Sequence, residues 1–330
     1  MGHPVGDRAS ATGSTLRWSA RLGAALVFAL AGVPAHGQSW NLYGNGSQFF
    51  VPITVVPKSS PDSGPPTYMV SLTLNGNNTN NFILDTGSLG LVASSAYYTP
   101  EGKPLAQYAT ITYNTSGAAP VGALYMTEVR INGENGKYVT ARVPILAATQ
   151  NGANSFYQLG IGFDRPGIQI GPDSNPANLT YANASYNMNP FLALTGSSRD
   201  SGVNVGTMQP GYIIGVNGFD YLGLGNKPGI LLGLNSQNTS GFAFQQLASA
   251  GGVPSYCSTP GMGCPLSWSS QNASITIKTD GRTYDLGPAS VLPDSGISYI
   301  IVTSQGVDVP TEKSFACTAG DKKVDCLRPG

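Results

Sequence analysis

The chain has 330 residues, of which 41% are hydrophobic and only 10% charged, with 17 basic and 17 acidic side chains and a formal net charge of zero. That balance argues against a nucleic-acid partner, because phosphate recognition rests on an excess of Lys and Arg. The length is ample for a sizeable core, as one large all-β body or two compact units, and Gly (43) with Pro (24) stays below the share that composition ties to disorder.

In chain order, residues 1–21 carry Arg8, Arg17 and Arg21, the run 22–33 is almost wholly apolar, and Ala35-His36-Gly37 offers small residues at a cleavage spacing. This pattern predicts a secretory signal peptide over residues 1–37, since the apolar run is too short to span a bilayer comfortably. The mature protein is therefore expected to be secreted or periplasmic, with no membrane attachment. The two histidines, His3 and His36, both lie in that segment. A chain without imidazole cannot run Ser-His-Asp or Cys-His catalysis, nor hold zinc as His-Glu-x-x-His does. Its chemistry must use carboxylates, hydroxyls or Lys.

Apolar and alternating runs bounded by turn residues predict strands at Phe49–Val56 and 68–74, and a further apolar run, Asn81-Phe82-Ile83-Leu84, leads straight into Asp85-Thr86-Gly87-Ser88. Further strands are expected at 109–113, 123–131, 138–146, 211–216, Gly229–Leu234, 274–278 and 298–303. Residues 190–194 and 242–249 are the short helix candidates. Abundant Ser, Thr, Asn and Gly suit short strands and many turns, so the fold class is all-β.

Asp followed by a hydroxyl and Gly occurs four times. Asp62-Ser63-Gly64 and Asp200-Ser201-Gly202 sit among Pro, Ser, Gly and Arg with no apolar strand leading in, and read as ordinary turns. Asp85-Thr86-Gly87 and Asp294-Ser295-Gly296 are each flanked by apolar residues, as two related lobes would leave them. Two carboxylates brought within about 3 Å cannot both ionise, so they share a proton. The ionised member can act as base toward water, while the protonated one hydrogen-bonds to a carbonyl. The glycine lets backbone N–H groups approach the acid, the hydroxyl braces the loop, and Ser88 adds a donor beside Asp85.

Phe82-Ile83-Leu84-Asp85-Thr86-Gly87-Ser88 resembles the first active-site loop of the pepsin-like aspartic peptidases, and Asp294-Ser295-Gly296 resembles the second. The segment 111–117 is similar to that family's flap hairpin, which makes Tyr113 the flap tyrosine. Leu159-Gly160-Ile161-Gly162 resembles the segment completing the first lobe's crossed loops, and Gly229–Leu234 the strand that opens the second lobe. Three features depart from the family pattern. Ile297 stands where the first motif has Ser88, Pro293 precedes Asp294, and Val92 replaces an aromatic. The chain also ends at Gly330, soon after Asp294.

The resemblance implies a bilobal, pepsin-like double β-barrel, with the N-terminal lobe over 38–215 and a shortened C-terminal lobe over 216–330. It implies an aspartic endopeptidase that hydrolyses an extended peptide with activated water at acidic pH. Asp85 and Asp294 would be the catalytic acids, supported by Thr86, Gly87, Ser88, Ser295 and Gly296, with Tyr113 over the substrate. The alternative is an inactive pepsin-fold binding or inhibitor module. No metal and no organic cofactor are expected, and the protein is expected to be a monomer whose partner is a peptide or protein substrate. In an exported chain the four cysteines favour disulfides, paired by proximity as Cys257 with Cys264 and Cys317 with Cys326.

Overall fold

The computed structural model describes residues 43–59, 66–96, 98–113, 117–151, 157–162, 167–182, 187–240, 242, 248–249, 268–279, 282–291, 312–319 and 322–326. Strands dominate these segments. In chain order they are β1 (Phe49–Val56), β2 (Thr67–Leu74), β3 (Asn78–Asp85), β4 (Leu89–Ser94), β5 (Ala106–Thr110), β6 (Val121–Asn132), β7 (Tyr138–Gln150), β8 (Tyr157–Ile161) and β9 (Gln169–Gly171). They continue as β10 (Thr180–Tyr181), β11 (Leu194–Ser197), β12 (Gln209–Gly215), β13 (Gly229–Leu234), β14 (Ala248–Ser249), β15 (Trp268–Thr279), β16 (Arg282–Val291), β17 (Glu312–Ala319) and β18 (Lys322–Cys326). Among the described residues the helical turns are short 3-10 segments, such as Glu134–Gly136 and Asp220–Leu222. The all-β expectation therefore holds.

Strands β1 to β13 belong to one hydrogen-bonded sheet. Within it β2, β3, β8, β4, β7 and β6 follow one another, and β6 returns to pair with β2 through Leu72–Ile131 and Leu74–Val129, which closes a six-stranded barrel. Alternation explains the closure. In β1 Phe49, Val51 and Ile53 turn inward while their neighbours face outward, and β6 alternates similarly along most of its length. One core cluster gathers Leu72, Phe82, Leu84, Leu91, Ile131, Val143, Ile145, Leu159 and Ile161, nearly all without solvent contact. Each such side chain contributes about 1.5–3 kcal/mol through burial. Pro144 falls inside β7, at the point where β11 has stopped pairing with it and β4 has not yet begun.

The barrel carries additions. β1 extends outward to β13 and β12, so Gly229–Leu234 lies in the same sheet as the strands before residue 216, paired with β1 along Phe49–Pro52. β5 pairs with β6 and β9, and β9 with β10. β12 is interrupted by a register shift between Gln209 and Tyr212. β14, β15 and β16 form a separate three-stranded sheet, and β17 and β18 pair as a hairpin.

The helix expected at 190–194 is not formed. Pro190 to Leu192 is a turn, in which Leu192 N–H reaches Asn189 O at 3.1 Å, and Leu194 begins β11. The buried Asn189 side chain accepts from Phe191 N–H at 2.9 Å, and this turn-forming bond competes with a helical one. The expected helix at 242–249 is contradicted at its end, where Ala248 and Ser249 pair with β15. Asp200-Ser201-Gly202 forms a 3-10 turn closed by Gly202, as an ordinary turn should. The strand expected at 298–303 lies outside the described residues.

Candidate active site

Three strands build the site because β8 runs between the two limbs of the acid loop. β3 and β8 are parallel, with Asp85 opposite Gly160, while β4 and β8 are antiparallel, with Gly90 opposite the same Gly160. The approach demands glycine. A Cβ at Gly160 would lie 2.7 Å from Ser88 Oγ, 2.8 Å from Gly90 O and 2.9 Å from Gly90 N. Gly90 itself has φ 116, a conformation that side chains disfavour. The loop is tied to β8 by Gly162 N–H donating to Ser88 O at 2.7 Å. The end of β8 is anchored in turn. Asn189 Nδ2 and the Tyr212 hydroxyl both donate to Ile161 O, at 2.8 and 2.5 Å.

Asp85 ends β3 with its carboxylate buried, only 4% exposed. Gly87 N–H and Ser88 N–H donate to Oδ1 at 2.8 and 3.2 Å, and the Ser88 hydroxyl donates to Oδ2 at 2.6 Å. A fourth donor comes from β8, where Gln158 Nε2 reaches Oδ2 at 2.5 Å. Hydrogen bonds to a charged group contribute about 1.5–3 kcal/mol each, and without them burying this carboxylate would be prohibitive. Thr86 is half-buried at the turn.

Tyr113 lies beyond the end of β5, where its N–H donates to Ala118 O and its carbonyl accepts from Gly117 N–H, closing a tight hairpin toward β6. Its side chain is buried in a second apolar cluster with Leu89, Val92, Ile111, Leu124, Ile168 and Met188. Burial pushes its ionisation well above the ordinary tyrosine range; the charge of Asp85 adds to this and the Ser88 hydroxyl opposes it. The fold thus brings together Asp85, Gly87, Ser88 and Tyr113.

Gln158, Asn189 and Tyr212 escaped the sequence reading. A signal for Gln158 exists in Tyr157-Gln158-Leu159-Gly160-Ile161. Leu159 and Ile161 point into the core, so Gln158 and Gly160 share the opposite face, toward the acid. Asp294, Ser295, Gly296, Cys257 and Cys264 lie outside the described residues. Cys317 falls in β17 opposite Val324, and Cys326 in β18 opposite Glu312. Among the described residues no helix is long and apolar enough to cross a membrane.

No protein-family model matches the chain, and no curated protein matches it.

Proposed function

We propose that the protein is an exported aspartic-type endopeptidase in which Asp85 and Asp294 act on one water molecule. The observation that carries the reading is the Asp85 loop. A buried carboxylate ends a barrel strand, accepts from three N–H groups and one hydroxyl, and lies close enough to Tyr113 for its charge to help raise that tyrosine's ionisation. The two-lobed arrangement, with the second lobe beginning at about residue 216, belongs to the same proposal, as does removal of residues 1–37 on export.

In this reading one acid is ionised and the other protonated, and the pair titrates as a unit. The ionised carboxylate takes a proton from water while the water oxygen bonds to the scissile carbonyl carbon. The protonated acid gives its proton to the carbonyl oxygen, forming a neutral tetrahedral diol. Collapse of the diol breaks the C–N bond: the carboxyl that took the proton from water gives it to the departing amine, the other carboxylate takes one hydroxyl proton of the diol, and the pair is left with its single proton. No covalent enzyme intermediate forms, and the need for one retained proton favours acidic pH.

The test is peptide hydrolysis from about pH 3 to 7 by the mature protein, Asp85→Asn and Asp294→Asn. Positioned acid–base groups contribute about 10²–10⁴-fold, so each substitution should lower kcat by at least that factor. Undiminished turnover in either variant, or a wild-type protein inert at every pH, overturns the proposal.

One observation favours the second reading, an inactive binding module. Asp85 has about four acceptor positions, and four donors fill them, so the carboxylate can serve wholly as a brace between β3 and β8. In that case peptides bind without being cut, and Asp85→Asn weakens folding but leaves their affinity unchanged.

A further inference from the structure

Three of the four donors to Asp85 come from its own loop, two or three residues further along the chain. They move with the acid and fix it only relative to Gly87 and Ser88. Gln158 is different, being 73 residues away and the one donor from another element among the described residues. Its backbone sits in the middle of the barrel wall, opposite Ile83 on one side and Val92 on the other. Tyr157 beside it stacks edge-on against Phe82 at 5.4 Å, and the Ile161 carbonyl below is held by Asn189 and Tyr212. A buried amide costs free energy unless it is hydrogen-bonded, and this one spends its N–H on Oδ2.

We propose that Gln158 is the positioning residue for Asp85. It registers the carboxylate to the barrel wall, where the loop's own donors register it only to the loop, and it bars rotation of Oδ2 out of that alignment. The proposal rests on the peptidase reading for its catalytic consequence but not for the contact itself.

Two variants test it. Gln158→Met keeps the size of the side chain and removes the donor. Misalignment of a reacting group by about 1 Å costs on the order of 10²-fold, so kcat should fall by about 10- to 100-fold with KM within about twofold. Gln158→Asn, whose shorter amide cannot span the same gap, should behave like Gln158→Met. Gln158→Glu supplies a readout free of catalysis. It sets a second carboxyl against Oδ2, and the two must share a proton. The pair holds its proton in the folded state at pH values where the unfolded chain has released it. Stability is then present at low pH and lost as pH rises. The melting temperature should match wild type near pH 3.5 and fall below it by about 5 °C or more at pH 7. Unchanged kcat in Gln158→Met, a fall in kcat matched by an equal change in KM, or a Gln158→Glu melting curve that follows wild type at both pH values, overturns the assignment. If the wild-type protein cuts no peptide, the peptidase reading fails while the Gln158→Glu melting curves still decide the contact.

Discussion

Gly160→Ala probes the point on which the site geometry turns. The added methyl would meet Ser88 Oγ at 2.7 Å, Gly90 O at 2.8 Å and Gly90 N at 2.9 Å. Two of these are backbone atoms of β4, whose residues 89–94 are all buried, so they cannot swing aside like the end of a long side chain. Overpacking of this kind costs about 1–3 kcal/mol. In a domain of about 150–250 residues 1 kcal/mol shifts the melting temperature by about 2–4 °C, so a drop of about 2–12 °C is expected. The strain falls on the contact between β8 and the Asp85 loop, so the proposed peptide hydrolysis should suffer beyond the loss in folded protein. Calorimetry on the variant beside Gly44→Ala measures the effect. Gly44 has nothing within 4 Å of an added Cβ, and its replacement should stay within about 0.5 kcal/mol of wild type. A Gly160→Ala protein that melts with wild type would refute the close passage of β8 between the limbs of the loop.

Tyr113→Phe should flatten the alkaline loss of stability. The raised ionisation of Tyr113 means that the folded protein keeps a proton that the unfolded chain gives up near the ordinary tyrosine value of 10.0, so stability is intact below that pH and falls above it. Urea denaturation between about pH 9 and 11 should show the wild-type slope reduced by up to about 1.4 kcal/mol per pH unit, with Tyr98 and Tyr212 still titrating; identical slopes would refute it. Asn238→Ala should destabilise by about 2–4 kcal/mol. The buried Asn238 amide donates to Gln48 Oε1 and Gly233 O and accepts from Asn235 N–H, stitching the chain before β1 to the turn after β13. A denaturation midpoint within error of wild type would show that this stitch is dispensable.

What was readable in the chain was what depends on neighbours in sequence. β1 and β13 were placed at their observed ends because their apolar runs are bounded by turn residues. The Asp85 clasp was readable because Gly87 and Ser88 follow the acid directly. β9, β10 and β11 were missed because strands of two to four residues carry too little alternation to register. The helix expected at 190–194 failed for a related reason: its apolar residues Phe191 and Leu194 are used separately, one in a turn and one in a strand. The alternation in 157–161 puts Gln158 on the face that Gly160 shares, but that face meets the acid only because β8 lies between β3 and β4, a pairing that no local pattern announces. Of the two acids that the sequence singles out, Asp85 lies among the described residues and Asp294 outside them.

Among the described residues the thirteen-stranded sheet terminates along its pairing order at β10 and β12. β10 is only two residues long, and β12 carries Pro210 within its register shift, so each border offers a stranger few regular N–H and C=O groups to zip onto. Such blunt borders discourage strand-by-strand aggregation, which matters for a protein rich in apolar β-sequence and with little net charge to keep copies apart.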